Sequence, residues 1–291
     1  MRFIEYQTSK NVGVATWSEG TWYGLTADHS SYPGTIQSLL DNPLALARAA
    51  DVLKSMGEHI DPDTVVYLPP IGSPNKIICV GLNYHDHSTE SGFKQPEYPT
   101  LFFRVSTSLT GHQQPIERRK VSDTLDFEGE LAAVIGVGGK NIVRSEALKH
   151  VAGYSIFNDA TIREFQFKSP QWTVGKNFDK TGAFGPWFVT SDEFPDAGIG
   201  RRLETRVNGK VVQSTMIDDM VFDLPCLIET ISAAITLEVG DVIVTGTPSG
   251  VGHARKPPVY MQAGDVCEIE IEGLGVLINP IVDETAEVTP A

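Results

Sequence analysis

The sequence predicts a β-rich α+β protein, with a mixed β roll or sandwich over residues 71–291 and a small N-terminal β/α domain over residues 1–70. Three observations point there. Short alternating or apolar runs bounded by turn residues recur along the whole chain. Few stretches carry helical spacing, and they do not alternate with strands as a doubly wound sheet requires. Finally, VNGKVV holds Asn208-Gly209 between two such runs, and that dipeptide supplies the positive φ of a type I′ hairpin turn.

Taken in order, RFIEYQ, VGVATW and TWYGLT read as a small antiparallel meander. SYPGTIQSLLDNPLALARAADVLKSMG follows with helical spacing interrupted at Pro43, and Leu39, Leu40, Leu44, Leu46 and Leu53 form its apolar face. YLPPIGSPNK, rich in proline and glycine, reads as a connector. From Ile77 the character changes. KIICVGLNY is a continuous buried-type strand, and a loop-like stretch follows from His85 to Pro99. Strands are predicted at TLFFRV, GELAAVIGV, VAGYSIFND, PWFVTS, LETRVNG with KVVQST, DVIVTGTP, and DVCEIEIEGLGVLINPIVDE. Helices are predicted at RSEALKHV, TIREFQFKS and PCLIETISAAI. No internal repeat or low-complexity segment interrupts this order.

Composition narrows the function. The chain has 37 acidic and 23 basic residues, a formal net charge of −14, which argues against a nucleic-acid surface. Its tightest basic cluster, ERRK at 117–120, is too small to reverse that and is expected in a solvated loop. Cys79, Cys226 and Cys267 lie in apolar runs without C-x-x-C spacing, so they read as buried thiols in a reducing compartment. No apolar stretch is long enough to span a membrane, and MRFIEYQTSK turns polar too early for a signal peptide. A soluble, cytoplasmic protein with no nucleic-acid or membrane partner is expected.

The stretch DFEGELAAVIG is unusual. Asp126, Glu128 and Glu130 stand at every second position before an apolar run, so on a strand all would project from one face. Either that face is solvated, or a divalent cation offsets the repulsion; hard oxygen donors select Mg²⁺, Mn²⁺ or Ca²⁺. Asp159, at the end of the strand VAGYSIFND, is a candidate third ligand.

Three further segments offer chemistry. In NYHDHSTESG, His87 and Glu90 are three residues apart, so on a helical turn the carboxylate could orient the imidazole for deprotonating water. The alternative is a polar surface loop. In QWTVGKNFDKTGAFGP, Lys176 sits among glycines and aromatics, as a surface residue or as a fixed positive charge for an oxyanion. GDVIVTGTPSGVG is a strand running into a glycine-rich loop, whose N–H groups could approach a ligand carboxylate. A P-loop, a G-x-S-x-G elbow and a dinucleotide fingerprint are all absent.

Six blocks then stand in a telling order: GLNYHDHSTE, PTLFFRVSTSLTG, DFEGELAAVIG, FNDATIREFQ, QWTVGKNFD and GDVIVTGTPSGVG. Over residues 75–285 the chain resembles the fumarylacetoacetate hydrolase family. Each block is weak alone; six in sequence are specific. The resemblance implies that family's β-roll fold and a homodimer. It implies Glu128, Glu130 and Asp159 as ligands of one Mg²⁺ or Mn²⁺, with Asp126 orienting them. It implies His87 and Glu90 as a water-activating dyad and Lys176 beside the metal. Arg163, Gln166 and Thr247 match substrate-contacting positions. The chain departs from the family pattern at Ile162 and Glu164, and at Arg104, where a lysine is common; these positions are expected not to touch the ligands.

The activity this implies is hydrolysis of a carbon–carbon bond in a small 2,4-diketo acid, an acylpyruvate, giving pyruvate and a carboxylic acid. Decarboxylation of oxaloacetate or a related β-keto acid, or isomerisation of an unsaturated diacid, needs the same chelating metal. A non-catalytic ligand-binding relative is the rival from another class. Trp187 and Arg255 are expected to shape the far end of the pocket.

Overall fold

The protein is described by a computed structural model covering residues 1–42, 44–85 and 97–285. Its centre is a 12-stranded sheet. Arg2–Gln7, Val12–Ser18, Thr21–Thr26 and Glu58–Ile60 form the meander at one side. Gly182–Thr190, Val151–Asp159, Gly129–Ile135, Val242–Val244, Ile77–Gly81 and Thr100–Arg104 follow in that spatial order. The meander is continuous with the rest, because Arg2–Gln7 pairs antiparallel with Gly182–Thr190, Phe3 opposite Phe188. Val66–Leu68, overlapping the start of the expected connector, adds to the same sheet beside Arg2–Gln7. A second, 5-stranded sheet is built from Lys210–Met216, Arg202–Val207, Val266–Ile271, Gly275–Asp283 and Ile116–Arg118.

Strand alternation explains why the central runs are apolar throughout. Leu131, Ala133 and Ile135 point to one face, into a core shared with Leu203, Ile269, Ile271 and Leu277 of the second sheet. Ala132 and Val134 point to the other face, into a core with Phe157, Phe184, Val242 and Val244. Both faces of Gly129–Ile135 are therefore covered, and every residue of the strand is buried. The helix Ala45–Met56 closes the second core with Leu46, Ala49, Ala50 and Leu53, one stripe at helical spacing. The helix Leu224–Ala234 closes the first with Leu224, Leu227, Ile228 and Ile231, and Asp223 caps it by accepting from the Cys226 N–H at 2.9 Å.

Several expectations hold in detail. Asn208 and Gly209 have φ of 50° and 74°, as the hairpin turn demands. The helical stretch around Pro43 divides into Ile36–Leu39 and Ala45–Met56; Pro43 itself is outside the described residues. Others do not hold. RSEALKHV forms a 3₁₀ segment, Arg144–His150, and TIREFQFKS keeps only one turn, Arg163–Gln166, after the short strand Thr161–Ile162. ERRK is not a solvated loop. Arg118 lies in a strand and pairs with Asp283 at 2.7 Å, while Arg119 pairs with Glu284 at 3.1 Å, so neighbouring acids absorb the charge. Cys79 and Cys267 are buried, Cys226 is half-buried, and all three are free. No described helix is long and apolar enough to cross a membrane.

Glu5 ties the meander to the first helix by accepting from the Ile36 N–H at 2.6 Å. Burial pushes its carboxyl up from 4.5 to about 7, against the pull of the Ile36 and Gln37 N–H groups. The folded protein therefore holds a proton that the unfolded chain releases, and stability falls as pH rises from about 4.5 to about 7. Glu5→Gln should remove that loss. Its melting temperature relative to the parent is expected to climb across this window and then level off. A flat difference across the window would contradict the buried neutral acid.

Candidate active site

The register of the central strands assembles the acidic group. Gly129 lies opposite Asn158 and Glu130 opposite Phe157, so Glu128 falls beside Asp159, whose N–H donates to the Glu128 carbonyl at 2.9 Å. Glu128, Glu130 and Asp159 each offer an oxygen within 4.8 Å of the others, and all three are buried. Their side chains share one face, as the alternation in sequence demands.

Asp126 has a different place. It belongs to a separate short strand, Leu125–Asp126, paired with Thr161–Ile162. Its carboxylate accepts from the N–H groups of Gly252 at 2.7 Å and His253 at 2.9 Å, and from Arg163 Nε at 2.8 Å. Arg163 Nη2 in turn lies 2.7 Å from Glu128 Oε1, and its Nη1 donates to Gln166 Oε1 at 2.9 Å. Asp126 thus orients Glu128 through Arg163.

Two more cations complete the cluster. Lys176 Nζ donates to Glu128 Oε2 at 2.7 Å and Asp159 Oδ2 at 2.6 Å. Arg104 Nη1 donates to Asp159 Oδ1 at 2.6 Å, and its Nη2 to Thr181 Oγ1 at 2.8 Å. The expectation that Arg104 stands clear of the ligands is therefore corrected: it pairs directly with one. Ile162 is packed in the core, and Glu164 is exposed and donates its N–H to Thr124, so neither touches the acids.

Burial pushes Glu130 well above the usual carboxylate range, and the charges of Asp159 and Glu128 push it further. Burial raises Asp159 too, against the pull of Lys176 and Arg104. For Lys176, burial opposes the charge, but Asp159 and Glu128 outweigh it, so the ammonium persists well past neutral pH. Three hard, crowded and buried oxygen donors, each within 4.8 Å of the others, fit a divalent cation.

These groups line one cavity of about 430 Å³. Glu128, Glu130 and Lys176 make its buried floor, and Arg163, Gln166 and Thr247 stand on its walls. Phe102 and Trp172 form an apolar side, with Trp172 lying where a Cβ on Gly81 would come within 2.3 Å of its ring. Phe167, His253 and Ala254 stand nearer the surface. Of the expected ligand, catalytic and substrate-contacting residues within the described chain, Glu128, Glu130, Lys176, Arg163, Gln166 and Thr247 line this cavity, and Asp159 joins it through its ion pair with Lys176. His87 and Glu90 lie outside the described residues.

Other expectations change. The glycine-loop N–H groups turn to the protein's own acids: Gly246 donates to Glu130 and Gly252 to Asp126. Trp187 does not shape the pocket; it packs against Trp22, 5.8 Å between ring centroids. Arg255 is spent on the carbonyls of Gly250 and Val212. Their place is taken by His253, whose Nδ1 lies 2.8 Å from Tyr260 Oη and whose ring stacks near Phe167. Burial lowers its pKa, as does Arg163, against the opposing pull of Asp126, so the imidazole is neutral near pH 7. Only its place in HARKPPVYM hinted at this.

Lys176→Met should lower the melting temperature in EDTA, since an unpaired buried charge costs on the order of 3–5 kcal/mol. Saturating Mg²⁺ should restore most of the loss. Equal melting with and without the ion would show that the carboxylates do not share a cation.

The family profile described as fumarylacetoacetate (FAA) hydrolase C-terminal matches residues 76–282. An oxaloacetate tautomerase of Xenopus laevis, named as mitochondrial, is 39% identical over 290 residues, covering 97% of this chain and 90% of its own. A human oxaloacetate tautomerase, also named as mitochondrial, is 37% identical, covering 97% of this chain and 92% of its own. Among solved structures, the fumarylacetoacetate hydrolase of psychrophilic Exiguobacterium antarcticum superposes with a TM-score of 0.85 at 36% identity, covering 98% of this chain and 100% of that one. A 2-hydroxyhepta-2,4-diene-1,7-dioate isomerase of Mycobacterium marinum gives 0.76 at 31% identity, covering 98% and 99%. With a profile match over most of the chain and relatives of this similarity along nearly all of it, the protein is an enzyme of the fumarylacetoacetate hydrolase family.

Proposed function

We propose that this enzyme interconverts the keto and enol forms of a small 2-oxo diacid of the oxaloacetate type, using one Mg²⁺ or Mn²⁺. The observation that carries the reading is the meeting of Glu128, Glu130, Lys176 and Arg163 in one small cavity with a buried floor. The names of the tautomerase relatives point to the substrate.

Glu128, Glu130 and Asp159 would hold the cation, which when bound supplies Lewis acidity beside the 2-oxo group. Lys176, kept protonated by its acidic neighbours, stabilises negative charge growing on that oxygen. Arg163, fixed by Asp126 and Glu128, keeps one wall positive toward an anionic substrate. His87 and Glu90, read as an acid–base pair from their spacing, would exchange the C3 proton. The net change moves one proton between C3 and the 2-oxo oxygen and consumes no water. His253 stands at the mouth, where a neutral imidazole can hydrogen-bond the distal carboxylate.

Acylpyruvate hydrolysis is the second reading, favoured by the three-residue spacing of His87 and Glu90, which suits water activation. Both readings keep the homodimer and the cytoplasmic location expected from the sequence, and size-exclusion with light scattering tests the dimer.

Oxaloacetate and acetylpyruvate, each with Mg²⁺ and with EDTA, separate the readings. Metal-dependent acceleration of enol-to-keto decay, with the carbon skeleton intact by NMR, is the expected outcome. Acetate and pyruvate from acetylpyruvate without any such acceleration would establish hydrolysis instead. Pyruvate from oxaloacetate above the metal-only blank would establish decarboxylation. In the tautomerase assay, His253→Ala should raise KM about tenfold, the scale of one hydrogen bond to a charged group, and leave kcat nearly unchanged. An unaltered KM would remove His253 from substrate contact.

A further inference from the structure

We infer that Asn83 is a positioning residue for the cation site: its side chain fixes the peptide unit that holds the Glu130 carboxylate. Asn83 is fully buried just beyond the strand Ile77–Gly81. Its Nδ2 donates to the Thr245 carbonyl at 2.7 Å and to the Phe222 carbonyl at 3.0 Å. Its Oδ1 accepts from the Phe222 N–H at 2.9 Å.

The Thr245 carbonyl and the Gly246 N–H belong to one planar peptide group. That N–H donates to Glu130 Oε2. Holding the carbonyl at one end therefore sets where the N–H points at the other. The contact is close by design of the backbone. Gly246 has φ of +106°, and a Cβ there would come within 2.7 Å of Asn83 Cβ. On the far side Asn83 is locked as well, since its carbonyl accepts from the Val221 N–H at 2.9 Å and Tyr84 bridges to Met220. Asn83 thus stands rigid, and through the Gly246 N–H it transmits that rigidity to the Glu130 carboxylate. Glu128 and Asp159 have Lys176, Arg163 and Arg104 for that purpose; Glu130 has this backbone N–H.

The inference rests on the reading of Glu128, Glu130 and Asp159 as a cation site, and the test separates the two. Mn²⁺ binding to the full-length apoprotein is titrated calorimetrically, alongside thermal melts, for the parent, Asn83→Ala and the isosteric Asn83→Asp. Asn279→Ala is the control: Asn279 is equally buried and donates to the Gly111 and Gln114 carbonyls at 2.9 and 2.7 Å, away from the acids. Loss of a partner that orients a metal ligand typically weakens affinity 10- to 100-fold. Both Asn83 variants are expected to bind Mn²⁺ at least about tenfold more weakly, while Asn279→Ala melts lower but binds like the parent. Hydrogen exchange at the Gly246 amide should accelerate in Asn83→Ala without any metal present. Parent-like affinity and Gly246 protection in the Asn83 variants would overturn the inference and leave the cation site standing. A parent that binds no Mn²⁺ would overturn the cation site and the inference with it.

Discussion

Burying Glu128, Glu130 and Asp159 side by side is the constraint on which the rest of this structure turns. Each ion removed from water costs several kcal/mol unless partners replace the lost hydration. The partners come from three separate segments: Arg104 from an edge strand, and Arg163 and Lys176 from two helices of a single turn each. Such short helices have no stability of their own. Their docking depends on the charges they deliver, which places Arg163, Gln166 and Lys176 on the cavity wall together. Asp126 extends the network outward by joining Arg163 to the turn at Gly252 and His253.

The sheet makes this concentration of charge geometrically available. Glu128 and Glu130 stand where Gly129–Ile135 begins, and Asp159 where its antiparallel neighbour ends. On the other side, Val242–Val244 and Ile77–Gly81 run parallel to each other and end at the same rim, delivering Gly246 and Asn83. Deeper in, both faces of these strands are sealed by apolar side chains. The charged cluster sits at one rim of the sheet, and its low-dielectric surroundings strengthen every interaction within it.

Those features differ in how plainly the sequence announces them. The acidic pair Glu128 and Glu130 is legible because strand periodicity alone puts them on one face, and Asp159 because it ends a conspicuous apolar run. The Asn208-Gly209 hairpin and the stripe Leu46, Ala49, Ala50, Leu53 are legible for the same local reason. Arg104 was not, because nothing near it in sequence says that it faces Asp159 from 55 residues away. Nor was the diversion of the Gly246 and Gly252 N–H groups to the protein's own carboxylates, which depends on loop conformation. Trp187 misled because an aromatic in a glycine-rich stretch looks like a pocket wall. It packs instead against Trp22 of the meander, a contact that exists only because residue 2 pairs with residue 189. The resemblance to a family supplied roles for Gln166 and Thr247 that no periodicity could.

The charge balance of the site also bears on what the cavity of an acidic protein can attract. With every group ionised, Glu128, Glu130, Asp159 and Asp126 exceed Lys176, Arg163 and Arg104 by one negative charge. Around them the chain as a whole carries a formal −14. With Glu130 ionised or, as its burial favours, protonated, the balance offers no net positive charge to an approaching anion. A divalent cation held by Glu128, Glu130 and Asp159 in their ionised form would turn the local excess to one positive charge, which favours an anion. On that arithmetic an anionic ligand would follow the cation rather than precede it. Arg163 and Lys176 lend local positive ends to the cavity but do not by themselves reverse its balance, since each also neutralises the carboxylates it pairs with.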